Sequence, residues 1–154
     1  MEQIHRQLGP QLFNQSWDLL LKPDRTREED NTLINIVHAS LYHWRQFGEP
    51  INILRGEWMI CHVYTLLEHR EEAYYHAMNI INLRDEIQPT DWDEAYALEA
   101  IARVHALLGN QDDFESFFHL AKMAGEQIAG DEDRKQFMSD FADGPWFGMI
   151  SPDR

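Results

Sequence analysis

Apolar residues recur at intervals of three and four positions along most of this 154-residue chain. In the clearest segment, Phe114, Phe118 and Ala121 follow the i, i+4, i+7 spacing that places side chains on one face of an α-helix. No segment shows the alternation of apolar and polar residues that is typical of a half-buried strand. The pattern predicts an all-α protein with about seven helices, near residues 10–21, 31–47, 50–67, 70–86, 91–108, 112–130 and 132–141.

Short signals in the sequence predict where several of these helices begin and end. Thr90 with Asp93 resembles a capping box, in which the threonine hydroxyl binds a free amide at the helix start. Gly109 has the position of a left-handed C-cap. Gly56 lies inside a predicted helix, where glycine costs about 1 kcal/mol relative to alanine, so we expect a neighbouring helix to approach closely there.

The predicted helices form a repeat. Residues 61–67 align with residues 102–108 at an offset of 41 residues, so that Val63 and Leu66 correspond to Val104 and Leu107. Each unit is then a pair of antiparallel helices joined by a short turn. Periods of this length built from helix pairs are typical of helical solenoids.

The second unit resembles the tetratricopeptide repeat, because Ala102 lies in its first helix, Gly109 at its turn, and Phe118 and Ala121 in its second helix. It departs from that repeat at Phe114, where a small residue is usual. The first unit departs at Glu68, where the turn glycine is expected. HEAT-like stacking and an irregular antiparallel bundle remain alternatives to a tetratricopeptide-like α-solenoid or α-α superhelix.

A more specific resemblance rests on the sequences HASLYHW at residues 38–44, RGEW at residues 55–58 and DEDR at residues 131–134. With helix pairs between them, these segments are similar to a group of uncharacterised bacterial tetratricopeptide-like proteins. The resemblance implies a small cytoplasmic helical-repeat protein, and it implies no activity and no catalytic residue.

One domain accounts for residues 1–154. We divide it into an N-terminal helix with a charged connection (1–30), a core of helix pairs (31–142) and a tail (143–154). The tail carries Trp146 and Phe147, which must either fold back on the domain or bind a second copy of the chain. We expect the second outcome, a homodimer through the chain ends, because terminal units of a short solenoid need covering.

Composition narrows the classes of partner and compartment. A formal net charge of −14 argues against nucleic acid, since phosphate binding depends on clustered Lys and Arg. No 18-residue apolar stretch is present for a membrane span, and the first residues lack a signal-peptide pattern. The single cysteine, Cys61, excludes an intrachain disulfide. We therefore expect a cytoplasmic protein.

The eight histidines lack the spacing of a metal site on a helix. No two of the eight have the i, i+3 or i, i+4 spacing of a helical metal site, so we expect no metal and no cofactor. Motifs of nucleotide binding and of common hydrolases are also absent from the sequence.

On two adjacent helices, a pocket could form that binds a small molecule or pairs a general base with a polarised histidine. Its candidate residues are His38, Tyr42, His43, Glu57 and His62. The alternative is that Glu57 and Arg55 only satisfy buried histidines and helix ends.

A groove is the leading candidate site. In tetratricopeptide-like stacks the first helix of each pair lines a concave surface, and the alignment assigns six residues to it: Arg55, Trp58, His62, Tyr96, Glu99 and Arg103. Arginine and aromatic residues are enriched at binding surfaces, although Glu99 and Arg103 could form only a local i, i+4 pair. We expect all six to be accessible and the arginines to select a ligand with carboxylates or phosphates. The sequence thus predicts a protein- or peptide-binding module without catalytic activity.

Overall fold

The computed structural model describes residues 1–149, and these form seven α-helices without a strand. None of the described helices combines the length and apolar character needed to cross a bilayer. The helices are α1 (Glu2–Leu20), α2 (Arg27–Phe47), α3 (Pro50–Leu66), α4 (Arg70–Ile87), α5 (Asp91–Leu108), α6 (Gln111–Glu126) and α7 (Asp131–Asp143).

Consecutive helices pack as three pairs, α1 with α2, α3 with α4 and α5 with α6. The pairs are stacked through α2 on α3 and α4 on α5, and the first helices of the last two pairs, α3 and α5, also touch. Helix α7 packs against α5 and α6. This confirms the prediction of an all-α protein with packed neighbouring helix pairs.

The first helix is longer than predicted, because it begins at Glu2 and carries Pro10 in its interior. Proline there removes one backbone hydrogen bond. Packing on α2 explains why the helix continues, since Gly9 lies against Trp44 and its carbonyl accepts a hydrogen bond from Ser40 Oγ at 2.8 Å. Tertiary contacts therefore outweigh the local preference of proline for a helix start.

The charged connection is shorter than predicted, because α2 begins at Arg27 and not at residue 31. Thr26 and Glu29 form a capping box, in which the Thr26 hydroxyl accepts from the Glu29 amide and the Glu29 side chain accepts from the Thr26 amide. The predicted start of the second helix at residue 31 is therefore wrong. The sequence carried this signal as a threonine followed three positions later by a glutamate.

The capping box predicted at Thr90 is also wrong. Thr90 does precede α5, but its side chain makes no capping hydrogen bond. Asp93 instead binds Arg55 on α3. At the other end of α5 the prediction is confirmed, because Gly109 has φ of +77° and is a left-handed C-cap.

The helix pairs approach closely where the sequence has Gly56. A Cβ atom at this position would lie 2.7 Å from Leu41 Cδ1, so a larger residue would force the Leu41 side chain of α2 to shift. The buried core around it continues through the stack in three clusters of apolar side chains, centred on α2 with α3, on α3 with α4 and α5, and on α5 with α6 and α7.

The described part of the tail folds back on the domain. Trp146 is 4% exposed, packs against Phe118 and Phe141, and donates a hydrogen bond from Nε1 to the Phe141 carbonyl at 2.9 Å. The expectation that these aromatics need a second chain is therefore wrong for residues 144–149. Asp143, assigned to the tail, is the last residue of α7. The rest of the predicted tail, residues 150–154, lies outside the described residues.

Candidate functional site

A groove with a volume of about 890 Å³ runs across the first helix of each pair and across α7. Each of these four helices contributes a stripe at the i, i+3 or i, i+4 spacing that aligns side chains along one face. The stripes are Phe13, Trp17 and Leu20 on α1; Arg55, Trp58, His62 and Leu66 on α3; Trp92, Tyr96, Glu99 and Arg103 on α5; and Gln136, Asp140 and Asp143 on α7. All six residues predicted for a groove line it.

Aromatic rings form the middle of the groove. Trp58 is half-buried and lies between Trp17 on α1 and Tyr96 on α5. Its ring centroid is 6.0 Å from that of Trp17 and 5.8 Å from that of Tyr96. It also stacks on His62 of its own helix at 4.8 Å. Trp58 therefore connects three of the four helices while keeping part of its ring open to the groove.

Both arginines of the groove are paired with carboxylates. Arg55 Nε and Nη2 each lie 2.9 Å from the carboxylate of Asp93, and its guanidinium lies over the Trp92 ring. Arg103 Nη2 lies 3.0 Å from Glu99 Oε1. Since the arginines already have anionic partners, the basis for expecting a ligand with carboxylates or phosphates is lost.

Glu99 and Arg103 lie at the floor of the groove and not on an accessible surface. Their exposed fractions are 1% and 3%, so the expectation that all six residues are accessible is wrong for these two. The reason is the position of α5, which is covered by α3, α4, α6 and α7. Arg55, Trp58, His62 and Tyr96 remain half-buried.

Three polar atoms in the groove lack a hydrogen-bond partner. Within residues 1–149, the buried side-chain nitrogen and oxygen atoms without a partner are Trp58 Nε1, Glu99 Oε2 and Arg103 Nε, and all three residues line the groove. An unpaired buried polar group costs about 1–3 kcal/mol. The groove thus offers two donors and one acceptor to a ligand.

Burial shifts the protonation of the groove residues. Desolvation, with a smaller contribution from Asp140, raises the pKa of Glu99 to about 7, although Arg103 opposes the shift. Desolvation and the charge of Arg103 lower the pKa of His62 to about 3, so its imidazole is neutral at pH 7. The pKa of Tyr96 is raised by burial and by its hydrogen bond to Asp140, where the hydroxyl donates to Oδ2 at 2.6 Å.

The sequence did not assign the contributions of α1 and α7 to the groove. Trp17, Asp140 and Asp143 are not among the six residues that the sequence predicts for the groove. Spacing could have found them, because Trp17 with Leu20 and Asp140 with Asp143 repeat the intervals seen on α3 and α5.

The alternative pocket around His38, Tyr42, His43, Glu57 and His62 does not assemble. His62 lines the groove, whereas His43 lies at the contact of α1 with α2, its Nδ1 2.8 Å from His5 Nδ1. Tyr42 is 58% exposed and contacts the rings of His5 and His43. Apart from Tyr42 and its chain neighbour His43, only His38 and Glu57 of this set interact with each other.

His38 and Glu57 belong to a partly buried polar network that we name the histidine cluster, formed with Tyr64 and His76. Glu57 Oε2 accepts a hydrogen bond from His76 Nδ1 at 2.6 Å, and His38 Nε2 shares one with the Tyr64 hydroxyl at 2.9 Å. The His38 and His76 rings lie 5.5 Å apart. Glu57 thus satisfies a buried histidine, as the structural alternative predicted.

Comparisons with protein-family models, curated proteins and solved structures give no match to this chain. The resemblance to tetratricopeptide-like proteins therefore stays a prediction. Among residues 1–149, no three His, Cys, Asp or Glu side chains converge in a group that could hold a metal ion. The groove is the candidate site because of its volume, its aromatic lining and its unpaired polar atoms.

Proposed function

We propose that this protein is a binding module that holds a segment of a partner protein in the groove lined by α1, α3, α5 and α7. The observation that carries the proposal is the aromatic middle of the groove, where Trp17, Trp58 and Tyr96 are half-buried around an open volume of about 890 Å³. Aromatic side chains grouped in a concave surface supply much of the affinity in protein recognition.

The arrangement of the helices supports a partner segment as the occupant. The groove crosses all three helix pairs, and such concave surfaces are what stacked helical repeats use for binding. The proposal includes a tetratricopeptide-like architecture and no catalytic role. It also includes a cytoplasmic location, with which a single free cysteine is compatible.

A displayed library of random dodecapeptides tests the proposal. Peptides selected on the native protein are resynthesised and titrated against Trp58→Ala, which removes the central ring of the groove, and against Trp17→Ala, which removes its neighbour on α1. The matched control is Tyr74→Ala, because Tyr74 is an exposed aromatic residue on α4 outside the groove. Circular dichroism establishes that each variant is folded.

We expect the selected peptides to compete with one another and to lose about tenfold or more in affinity with either tryptophan variant. Binding to Tyr74→Ala should be unchanged. Failure to select any peptide, or peptides that bind all folded variants equally, would overturn the proposal.

A further inference from the structure

We infer that the groove selects a basic segment, in which a lysine or arginine side chain is placed against Glu99 and its apolar stem lies along the rings of Trp58 and Tyr96. This inference rests on the proposed function and names the chemistry of the partner. It is carried by the unpaired oxygen of Glu99, by the excess of carboxylates in the groove and by the aromatic rings around them.

One oxygen of Glu99, at the floor of the groove, lacks a hydrogen-bond donor. Glu99 is 99% buried, its Oε1 is bound to Arg103, and its Oε2 has no partner in the described part of the chain. A carboxylate oxygen accepts hydrogen bonds only, and bonds from a charged donor are the strong ones. An ammonium or guanidinium group would therefore complete this site.

The charge of the groove also favours a cation. Four carboxylates line it, those of Asp93, Glu99, Asp140 and Asp143, against the two guanidinium groups of Arg55 and Arg103. Asp93 and Glu99 form ion pairs with the two arginines. The carboxylates of Asp140 and Asp143 on α7 are therefore in excess. The chain as a whole carries −14, so a basic segment is attracted at long range as well.

The walls of the groove suit the remainder of such a segment. The faces of Trp and Tyr rings attract cations within about 6 Å, and they cover the methylene stem of a long basic side chain. Trp58 Nε1 and Arg103 Nε are donors without partners, and they match the backbone carbonyl groups of a bound peptide. One basic segment would thus satisfy all three unpaired atoms.

Binding of a cation should depend on the protonation of Glu99. The groups that face Glu99 are Arg103 and Tyr96 on its own helix, His62 on α3 and Asp140 on α7, while the groove face of α1 is apolar. His62 is neutral above pH 5, so it does not compete as a cation. Because the pKa of Glu99 is about 7, its carboxylate population grows through neutral pH and a basic ligand should bind better there.

The test uses three fluorescent peptides of one length with a common leucine and phenylalanine framework and lysine, norleucine or glutamate at two central positions. They are titrated by fluorescence anisotropy at about 150 mM salt, where exposed charges are screened beyond about 8 Å. The variants are Glu99→Gln and Asp143→Asn in the groove. The control is Glu126→Gln, an exposed residue of α6 that changes the net charge equally.

We expect the lysine peptide to bind about tenfold or more tightly than the norleucine peptide, and the glutamate peptide to bind most weakly. Glu99→Gln should remove most of this preference while leaving the norleucine peptide bound, and Asp143→Asn should reduce it in part. Glu126→Gln should leave it intact. For the native protein the preference should grow by roughly up to tenfold from about pH 6 to about pH 8, and Glu99→Gln should show no such change.

Two kinds of failure are distinguishable. If no peptide binds, the proposed function fails with the inference. If the norleucine peptide binds as tightly as the lysine peptide, or the preference survives Glu99→Gln, the inference is overturned and the groove remains a binding site for apolar segments.

Discussion

Two glutamates on the touching helices α3 and α5 are almost completely buried, and they differ in what surrounds them. Glu57 is 2% exposed and binds His76 of α4 and Arg45 of α2, with Nη2 of that arginine 3.3 Å from Oε1. Glu99 is 1% exposed and has one oxygen on Arg103, whereas the other lacks a partner among residues 1–149. Both oxygens of Glu57 thus have partners within the fold, whereas one oxygen of Glu99 in the groove has none among the described residues.

The two pKa values move in opposite directions for this reason. Desolvation acts to raise the pKa of Glu57, but its hydrogen bond and charge interaction with His76, helped by Asn79 and Arg45, outweigh desolvation and lower it. At Glu99 desolvation prevails over Arg103, and the pKa rises to about 7. The carboxylate of Glu57 has a partner at each oxygen and keeps its charge in the fold, whereas the unpaired oxygen of Glu99 makes it a candidate position for a ligand group.

Removing the glutamate of the histidine cluster should have the largest effect. Glu57→Leu leaves the Nδ1 proton of His76 buried without an acceptor, so we expect the free energy of unfolding at neutral pH to fall by about 3–4 kcal/mol. Urea denaturation followed by circular dichroism measures it. Arg45 contributes little to this loss, because its side chain is 53% exposed and its ion pair with Glu57 is screened by water.

The control for Glu57→Leu is Glu71→Leu, since Glu71 is an exposed glutamate on α4. A surface substitution of this kind should change the free energy of unfolding by about 0.5 kcal/mol or less. A loss below about 1 kcal/mol for Glu57→Leu would contradict the view that the histidine cluster is a closed structural unit.

The second effect is the pH dependence that Glu99 gives to stability. Because its pKa is about 7 in the folded protein and 4.5 without the fold, the folded state binds the proton more tightly. The protonated form of Glu99 therefore contributes roughly 3 kcal/mol to the free energy of unfolding. This contribution is fully present below about pH 4.5 and is lost as the pH rises through 7. Glu57, with its lowered pKa, has the opposite sign and loses its contribution only in acid.

Comparison of the native protein with Glu99→Gln isolates this slope. Other titrating groups, such as His38 and His62 with their lowered pKa values, contribute alike to both proteins. The free energies of unfolding of the two proteins are measured at a series of pH values from about 5 to about 8. As the pH rises, the native protein should lose stability relative to the Glu99→Gln variant. Parallel curves would show that Glu99 does not titrate in this range and that the two glutamates are alike.

The sequence was sufficient for the fold and for the main stripe of the groove. Helix periodicity and the offset of 41 residues placed Arg55, Trp58 and His62 on one helix face and Tyr96, Glu99 and Arg103 on the next. Such periodicity is a local property and can be read along the chain.

The partners across helices could not be predicted in the same way. Asp93 has the spacing of a capping residue after Thr90, yet it binds Arg55, which lies 38 positions away in the chain. His76 was not associated with Glu57, because their contact depends on how α4 packs against α3. Whether a buried carboxylate finds all its partners is decided by this packing, and the contrast between Glu57 and Glu99 was therefore beyond the sequence.

The smallest effect comes from two tryptophans that differ in the same way as the two glutamates. Trp146 is buried and donates from Nε1 to the Phe141 carbonyl, whereas Trp58 lines the groove and its Nε1 has no partner within residues 1–149. Replacing each by phenylalanine removes the indole nitrogen and keeps an aromatic ring. We expect Trp146→Phe to lower the free energy of unfolding by about 1–2 kcal/mol, through the lost hydrogen bond and a small cavity.

For Trp58→Phe we expect a change of about 0.5 kcal/mol or less, because the donor that is removed has no bond to lose and the lost volume faces the open groove. Urea midpoints of the two variants, measured with a common slope, give the difference directly. Equal costs would mean that Trp58 is held as firmly as Trp146, and the aromatic middle of the groove would then belong to the core of the fold. A lower cost for Trp58→Phe, together with weaker binding of the selected peptides, would show that its indole nitrogen serves a ligand and not the folded chain.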